Sequence, residues 1–418
     1  MITRRTFGKG LLAASALSLP AIRASAQAPQ LRIGFSIAQT GGLAAGGKSA
    51  LLAFEVWRDH VNAAGGVGGR KVELVVYDDQ TNASSTPAIY SKLIDIDKVD
   101  VLLSPYGTNV AGPTIPIAKE RGRVIFGMAA IGLNQTLGYD RYFSMGPWGP
   151  EPKLTYQAFF DLARDKGLKK IAIIAADAEF QQNAADGGRR LIEQYGLELV
   201  FDQSYPANTT DFSGLLQALQ PSGPEVVYIC SYPTESAAIV RGIDEVGLPD
   251  TVQIFGGGMV GLQNANLLGS LGSQLNGIVN YDIFSIEANM RQPGTEEFLA
   301  TYAERAAAAK VDPLGYFLPP YWYAAGQTIK AAVEATDGTD DAKLAEWLHA
   351  NEVPTVVGPI RFGQNGEWSE NRVLMVQYRD IASGDLEQFR KPGKVAIVAP
   401  EKFRTADLVA PFAAARGG

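Results

Sequence analysis

The sequence predicts an α/β protein made of two Rossmann-like lobes, each a doubly wound and mainly parallel sheet. Its length of 418 residues exceeds that of one ordinary domain. Short apolar runs alternate with amphipathic helical segments, the pattern of βαβ units. A Pro- and Gly-rich stretch at residues 146–150 interrupts the alternation, which then starts again. We therefore expect two lobes rather than one long sheet.

Residues 1–26 read as an export signal rather than as part of the fold. They carry Arg4, Arg5, Lys9 and Arg23 but no acid, and an apolar run precedes the small residues that end at Ala26. The arginine pair resembles a twin-arginine export motif. The apolar run is shorter than the roughly 20 residues of a membrane span, and no cysteine stands at the cleavage point for a lipid anchor. We expect cleavage near Ala26 and a periplasmic, unanchored chain.

The first series of elements follows that signal. Its strands are runs of Val, Ile, Leu and Phe, and its helices have apolar residues three and four apart. Gly65-Gly66 and Gly122 stop two of the helices. Predicted strands lie at 31–37, 72–77, 99–103 and 124–127, and predicted helices at 49–63, 86–96 and 110–121.

The second series begins after the break and is followed by a different pattern. Three consecutive helical stretches interrupt the alternation, and the tail from Gly358 has the turn signals of antiparallel strands. Predicted strands lie at 171–175, 199–201, 226–229, 252–255 and 278–283. Predicted helices lie at 154–166, 184–195, 212–219, 235–246, 295–309, 321–336 and 340–350.

Composition excludes several classes of function. Lys and Arg number 37 against 44 Asp and Glu, so no basic surface for nucleic acid is expected. Removing the signal leaves 33 cationic residues and a more acidic chain. Cys230 is the single cysteine, and only two histidines are present. The chain therefore has few of the residues that a disulfide, a metal site or Ser-His catalysis needs. We expect no cofactor, no metal and no catalytic residues.

One motif points elsewhere. Residues 42–49, GLAAGGKS, match the phosphate-binding P-loop pattern and lie between a predicted strand and helix. Asp78 also ends an apolar strand, as a magnesium-binding acid would. Three observations argue against an ATP site: the export signal, the Gly- and Ala-rich composition and the lack of an arginine finger. A flexible glycine loop is the preferred interpretation.

Several short segments have a characteristic order and spacing. They are 33–36, 40–42, 62–72, 77–80, 171–174, 226–228 and 356–360. In these segments the chain resembles the branched-chain amino-acid-binding proteins, the type I periplasmic solute receptors of ABC importers. The resemblance covers nearly the whole mature chain. It implies a ligand cleft between two lobes that are joined by three crossovers, near residues 147, 280 and 356.

The resemblance also implies the division of the chain and its partners. A monomer would bind a small carboxylate and deliver it to a membrane permease. The N-terminal lobe would comprise 27–146 plus 281–355, the C-terminal lobe 147–280 plus 356–410, and the tail 411–418.

The loop after the third strand is the first candidate ligand site. It contains Tyr106, Gly107, Thr108 and Asn109. In the resembling family the hydroxyl at the position of Thr108 holds the ligand carboxylate. The start of a helix independently favours an anion there. An ordinary helix cap is the alternative.

Further ligand positions follow from the resemblance. The loop with Ala130 and Gly132 matches a second ligand loop, in which Gly132 replaces a usual threonine. Phe180 and Tyr232 match aromatic positions of the second lobe, and Phe317 matches a further aromatic. Ligands of open α/β sheets bind beyond the carboxyl ends of the strands, where these loops are expected.

Gly258 stands where amino-acid receptors of this family place a glutamate against the ligand ammonium. A buried ammonium without an acceptor is costly. Gly46 stands where an aromatic is frequent, which predicts more room. We therefore expect a carboxylate with an apolar or aromatic body and no α-ammonium. A branched-chain or hydrophobic amino acid is the alternative, with the charge supplied by one of four nearby acids: Asp177, Glu179, Glu235 or Asp282. An exported enzyme and a ligand-sensing receptor are the alternatives of another class.

Overall fold

The computed structural model describes residues 29–417. The predicted signal, residues 1–26, lies outside the described residues. Two sheets and a short two-stranded hairpin organise the described chain. Among residues 29–417, no helix combines the length and the apolar character that crossing a bilayer needs.

The first sheet is parallel throughout. Its strands are β1 (Leu31–Ser36), β2 (Val72–Tyr77), β3 (Val101–Leu103), β4 (Ile125–Gly127) and β5 (Tyr142–Ser144). Their order is β2-β1-β3-β4-β5, so β1 is an interior strand of the sheet and pairs with both β2 and β3. The connecting helices are α1 (Ala44–Ala63), α2 (Thr86–Asp95), α3 (Thr108–Ala111), α4 (Ile115–Glu120) and α5 (Leu133–Leu137).

The second sheet repeats this winding. Its parallel strands are β6 (Lys170–Ala176), β7 (Glu198–Tyr205), β8 (Val226–Ser231), β9 (Ile254–Met259) and β10 (Val279–Asp282). They are buried, apart from the edge strand β7, as expected for strands covered on both faces. The helices between them are α6 (Gln157–Asp165), α7 (Glu179–Gln194), α8 (Ser213–Leu219), α9 (Pro233–Val246) and α10 (Ala265–Leu271).

The chain then returns to the first sheet. Trp322 lies 5.3 Å from Phe35 of β1 and 5.8 Å from Phe54 of α1, measured between ring centroids. A Cβ on Gly326 would lie 2.1 Å from the Trp57 ring, so the glycine permits this helix contact. The returning elements are α11 (Thr295–Ala309), α12 (Leu318–Ala335), α13 (Asp341–Ala350) and the hairpin β11 (Glu352–Val353) and β12 (Ile360–Arg361).

The last strands complete the second sheet. They are β13 (Leu374–Tyr378) and β14 (Val395–Ala399), and α14 (Phe412–Ala415) follows. Strand β13 runs antiparallel to β10, and β14 runs antiparallel to β13. The full order is β14-β13-β10-β9-β8-β6-β7. The predicted α/β class with mainly parallel sheets and an antiparallel tail is confirmed.

Some predicted elements are wrong. The single helix predicted at 110–121 is divided by a 3-10 segment at Gly112–Thr114, because Pro113 and Pro116 each lack the N–H that a continuous helix needs. Strand β5 and helices α5 and α10 were not predicted, since they are three, five and seven residues long and too short for a periodic signal.

The preferred interpretation of residues 42–49, a flexible glycine loop, is wrong, and the hydrogen bonds of this segment also oppose the P-loop alternative. Helix α1 begins at Ala44 rather than Ser49, so most of the motif is helical. The Ala44 and Gly47 amides donate to the carbonyls of Gly41 and Leu43, and the Ser49 hydroxyl donates to the Gly46 carbonyl. These groups are engaged within the chain, so the segment offers no ring of free amides to a phosphate.

Candidate functional site

The two sheets face each other through the loops that follow their strands. The side-chain oxygen of Asn109 accepts the backbone N–H of Phe180 at 2.9 Å. Gly107, with φ of 96°, brings the first loop close to the second lobe. A Cβ at this position would lie 3.2 Å from the Tyr232 hydroxyl and 2.9 Å from Leu43. The predicted convergence of these loops is thus present.

Aromatic rings fill the space between the loops. Phe180 and Tyr232 are stacked, with centroids 5.1 Å apart and planes 13° apart. Tyr156 meets Tyr281 edge to face at 5.3 Å, and Tyr281 meets Phe317 at 6.1 Å. Edge-to-face and offset contacts at these distances stabilise such a cluster. Tyr156 and Tyr281 were not among the residues predicted from sequence.

Three tyrosine hydroxyls at this place have no hydrogen-bond partner. They belong to Tyr106, Tyr156 and Tyr232, and all three oxygen atoms are buried. The backbone of Asn109 lies near the Tyr232 hydroxyl but outside hydrogen-bonding geometry. Leaving such a group unpaired costs about 1–3 kcal/mol. Unpaired buried hydroxyls on three separate segments make this place a candidate site for a polar ligand group.

These hydroxyls are neutral donors. Burial raises the pKa of Tyr106, Tyr156 and Tyr232, and the proximity of the other phenols raises it further for Tyr156 and Tyr232. Neutral phenol O–H groups donate to carboxylate or carbonyl oxygens. The arrangement can bind an acceptor group without a cationic side chain.

Two glycines make room for two of these tyrosines. A Cβ on Gly46 would lie 2.9 Å from the Tyr106 ring, and one on Gly258 would lie 3.6 Å from the Tyr156 ring. The expectation that Gly46 leaves more room for ligand is therefore wrong, because Tyr106 fills that space. Gly258 lies within β9, paired with Cys230, and not in a loop as predicted.

Thr108 has a structural contact. Its hydroxyl oxygen accepts the Ile131 backbone N–H at 2.9 Å, and the residue is fully buried. It thereby fastens the 128–131 loop to the start of α3. The hydroxyl proton remains available for donation, so a contact with a carboxylate stays a prediction.

The second predicted ligand loop, with Ala130 and Gly132, includes Ile131, the residue that Thr108 contacts. The Ala130 carbonyl accepts the Trp148 indole N–H at 2.9 Å, and Ala130 packs in a separate group of buried side chains with Tyr142 and Leu133. Gly132 precedes α5 with φ of 72°, and a Cβ there would have Lys153 as its nearest neighbour, at 3.8 Å. Nothing in these contacts joins either residue to the three tyrosines.

The four candidate acids differ in position. Asp282 faces away from the tyrosines: its carboxylate accepts the Ile283 N–H at 2.7 Å, it lines a different cavity with Phe284 and Tyr378, and burial raises its pKa to about 7. Asp177 and Glu179 are exposed. Glu235 alone among them lines the cleft between the lobes.

This cleft has a volume of about 330 Å³. Asn109 and Tyr232 line it, so it adjoins the aromatic cluster. Cys230 lies beside the cluster and is buried, and burial raises its pKa to about 12, which does not suit a nucleophile. Among residues 29–417, no group of His, Cys, Asp and Glu side chains is arranged to hold a metal ion.

Two α/β lobes with an aromatic, mostly uncharged cleft between them define a class of small-molecule binding proteins. The family model described as "Periplasmic binding protein" matches residues 30–384. The chain therefore belongs to the periplasmic binding protein family, as the sequence predicted.

Curated relatives are similar over nearly their whole length. An amino acid binding protein of Pseudomonas aeruginosa is 26% identical over 382 residues, covering 91% of this chain and 98% of the relative. The Leu/Ile/Val-binding protein homolog 7 of Brucella abortus is 26% identical over 384 residues, with 89% and 94% covered.

Solved structures share the fold. The branched-chain amino acid binding protein LivJ of Streptococcus pneumoniae, in complex with isoleucine, has a TM-score of 0.72 at 19% identity, covering 91% of this chain and 100% of its own. A solute binding protein of R. palustris in complex with benzoate has the same score and identity, with 91% and 98% covered. Both of these neighbours are named as substrate- or solute-binding proteins of transporters.

Proposed function

We propose that this protein captures a small carboxylate with an apolar or aromatic body in the periplasm and delivers it to the permease of an ABC importer. The three unpaired, buried hydroxyls of Tyr106, Tyr156 and Tyr232 carry this proposal. They offer neutral donors to a carboxylate, while the rings around them receive the apolar body. No covalent step is needed, and we assign the chain no catalysis.

The missing α-ammonium partner supports the choice of ligand. At Gly258 the chain has no acid, and Tyr156 occupies the adjoining space. Asp282 faces a different cavity. An α-ammonium held at position 258 would therefore be buried without an acceptor there, which costs several kcal/mol. A benzoate-binding structural neighbour shows that this fold accommodates an aromatic acid.

A hydrophobic amino acid is the second candidate. The names of the curated relatives favour it, since they are amino-acid and Leu/Ile/Val-binding proteins. The two candidates differ in one chemical group, so paired ligands separate them.

The mechanism of capture follows from two lobes that close on the ligand. Lobes comprising 27–146 plus 281–355 and 147–280 plus 356–410 would move about three crossovers. The Asn109–Phe180 hydrogen bond would hold the lobes together in the closed form. Closure removes the ligand from water and strengthens each polar contact. The residue 1–26 signal would direct the monomeric chain to the periplasm.

A thermal-shift screen of the mature chain tests the proposal. Ligands are benzoate, phenylacetate, 3-phenylpropanoate, leucine and phenylalanine. Binding to the folded state raises the melting temperature, by an amount that grows with concentration over Kd. We expect a shift with at least one aromatic acid and none with the two amino acids. A shift with leucine or phenylalanine, and none with 3-phenylpropanoate, would support the amino-acid alternative.

A further inference from the structure

Glu235 is a buried acid that lacks an ion-pair partner. It is 3% exposed, lines the cleft between the lobes and forms no salt bridge with any residue in the described range. One carboxylate oxygen accepts the Asn208 backbone N–H at 2.7 Å. The other forms no hydrogen bond within residues 29–417. Glu235 lies in the first turn of α9.

A second acceptor lines the same cleft. Gln181, on α7, is 1% exposed, and its side-chain oxygen is buried without a hydrogen-bond partner. Glu235 and Gln181 thus bring acceptors from two helices of the second lobe to one cleft. The facing side of the cleft is formed by loops of the first lobe. Its lining residues there are Gly42, Leu43, Gln80, Thr81, Ala83, Asn109 and Val110.

The charge of the cleft has one sign. Its lining contains Glu235 but no Lys, Arg or His. A buried amide oxygen without a donor is costly, and the Gln181 oxygen is such an atom. The second Glu235 oxygen has no hydrogen-bond partner among the described residues. One kind of ligand group, a donor with several N–H bonds, can satisfy both acceptors.

We propose that Glu235 and Gln181 form an acceptor site for an N–H donor, preferably an alkylammonium, at the end of the ligand remote from its carboxylate. The nature of that carboxylate rests on the function proposed above, whereas the acceptor site does not. Tyr232 lines this cleft and also carries one of the unpaired hydroxyls, so one ligand can reach both regions. The site differs in position from the vacant acid position at Gly258.

Three related acids test the proposal by isothermal titration of the mature protein. 4-(Aminomethyl)phenylacetate and phenylalanine are isomers that differ in where the ammonium lies. 4-Ethylphenylacetate replaces the distal ammonium with a methyl group. We expect the aminomethyl acid to bind about tenfold or more tightly than either of the others, as charge-assisted hydrogen bonds of about 1.5–3 kcal/mol imply.

Variants locate the effect. Glu235→Gln keeps the oxygen that accepts the Asn208 N–H, so the fold is retained while the charge is removed, and Gln181→Met removes the second acceptor. We expect the first to abolish the preference for the aminomethyl acid and the second to reduce it about threefold or more. Asp177→Asn is the matched control, since it removes an exposed charge that does not line the cleft, and it should leave the preference unchanged.

Benzylamine separates this proposal from the proposed function. If neither phenylacetate binds but benzylamine binds and Glu235→Gln abolishes its binding, the acceptor site stands and the carboxylate assignment is wrong. If 4-ethylphenylacetate binds as tightly as the aminomethyl acid, the acceptor site is wrong and the carboxylate assignment stands. Failure of both amines to bind overturns the acceptor site.

Discussion

Tyr156 lies beside Gly258, where a Cβ on the glycine would sit 3.6 Å from the tyrosine ring, at van der Waals contact. The same Cβ would lie 3.1 Å from the Ile229 carbonyl on the neighbouring strand. The surroundings of position 258 are therefore a backbone carbonyl and a phenol that comes from another segment. A phenol stands beside the position at which an acid would have been expected, and this is why we propose a ligand without an α-ammonium.

Removing the unpaired tyrosine hydroxyls should affect the stability of the protein and its affinity for ligand in different ways. Tyr106→Phe, Tyr156→Phe and Tyr232→Phe should each keep or raise the melting temperature, because a buried unpaired group is lost. Each should weaken binding of an aromatic acid about 5- to 20-fold. Calorimetric titration and thermal unfolding measure the two effects.

Tyr378→Phe is the control for this prediction. The Tyr378 hydroxyl donates to the Leu262 carbonyl at 2.9 Å, away from the cluster, so its removal should lower stability by about 1 kcal/mol and leave affinity unchanged. Loss of stability in all four variants, without loss of affinity in the first three, would contradict the proposed site.

Gly46→Ala should weaken binding by displacing the Tyr106 ring. The added Cβ would lie 2.9 Å from that ring and 3.1 Å from Leu318, so the tyrosine must move. We expect affinity for an aromatic acid to fall about tenfold, with a stability loss of about 1–3 kcal/mol typical of overpacking. Gly214→Ala, in α8 with open space around it, should leave affinity unchanged and stabilise the helix.

Glu367 predicts a pH dependence of stability. Its two carboxylate oxygens are buried without a hydrogen-bond partner, and burial raises its pKa from 4.5 to about 8. The neighbouring Ser144 hydroxyl lowers the pKa by less than burial raises it. Between these two values the folded chain holds a proton that the unfolded chain releases, so the free energy of unfolding falls as pH rises.

Glu367→Gln should remove this contribution. Urea unfolding from pH 4.5 to 8.5 measures it. We expect the fall in unfolding free energy across this pH range to be smaller in the variant than in the wild type by roughly 3–5 kcal/mol. Glu370→Gln changes a more exposed acid three residues along the chain and should leave the slope nearly unchanged. An identical slope in wild type and Glu367→Gln would disprove the assignment.

ATP should not bind at residues 42–49. Lys48 is exposed, and the neighbouring amides are engaged within the chain. We expect no thermal shift with millimolar Mg-ATP, and no change in melting temperature in Lys48→Ala beyond about 1 °C. A shift with ATP that Lys48→Ala abolishes would restore the nucleotide-binding interpretation.

Sequence predicted the sheets better than it predicted the site. Strands such as β1 and β8 are continuous apolar runs, and their periodicity needs no knowledge of distant contacts. The convergence of the loops with Tyr106, Phe180 and Tyr232 was predicted from the resemblance and from their place after strand ends, and their role in binding stays a prediction. Such residues are positioned by the direction of parallel strands alone.

The missed residues depend on packing between distant segments. Tyr156 precedes a helix at the interlobe break, and Tyr281 lies within β10, so neither position signals a ligand. The Tyr106 ring packs into the space that a side chain at Gly46 would fill. These two residues lie 60 positions apart, so no local sequence pattern predicts the contact. Burial of the Gln181 oxygen likewise follows from contacts that one sequence does not display.

The antiparallel tail affects how the chain is made. Strand β10 is covered on one edge by β13, whose residues Leu374–Tyr378 are synthesised only after three helices and a hairpin that return to the first sheet. Until they leave the ribosome, the buried segment Val279–Asp282 presents an uncovered edge that can pair with another nascent chain. The second sheet can therefore be completed only after these returning elements have been made, and a chaperone that delays its collapse would raise the yield of folded protein.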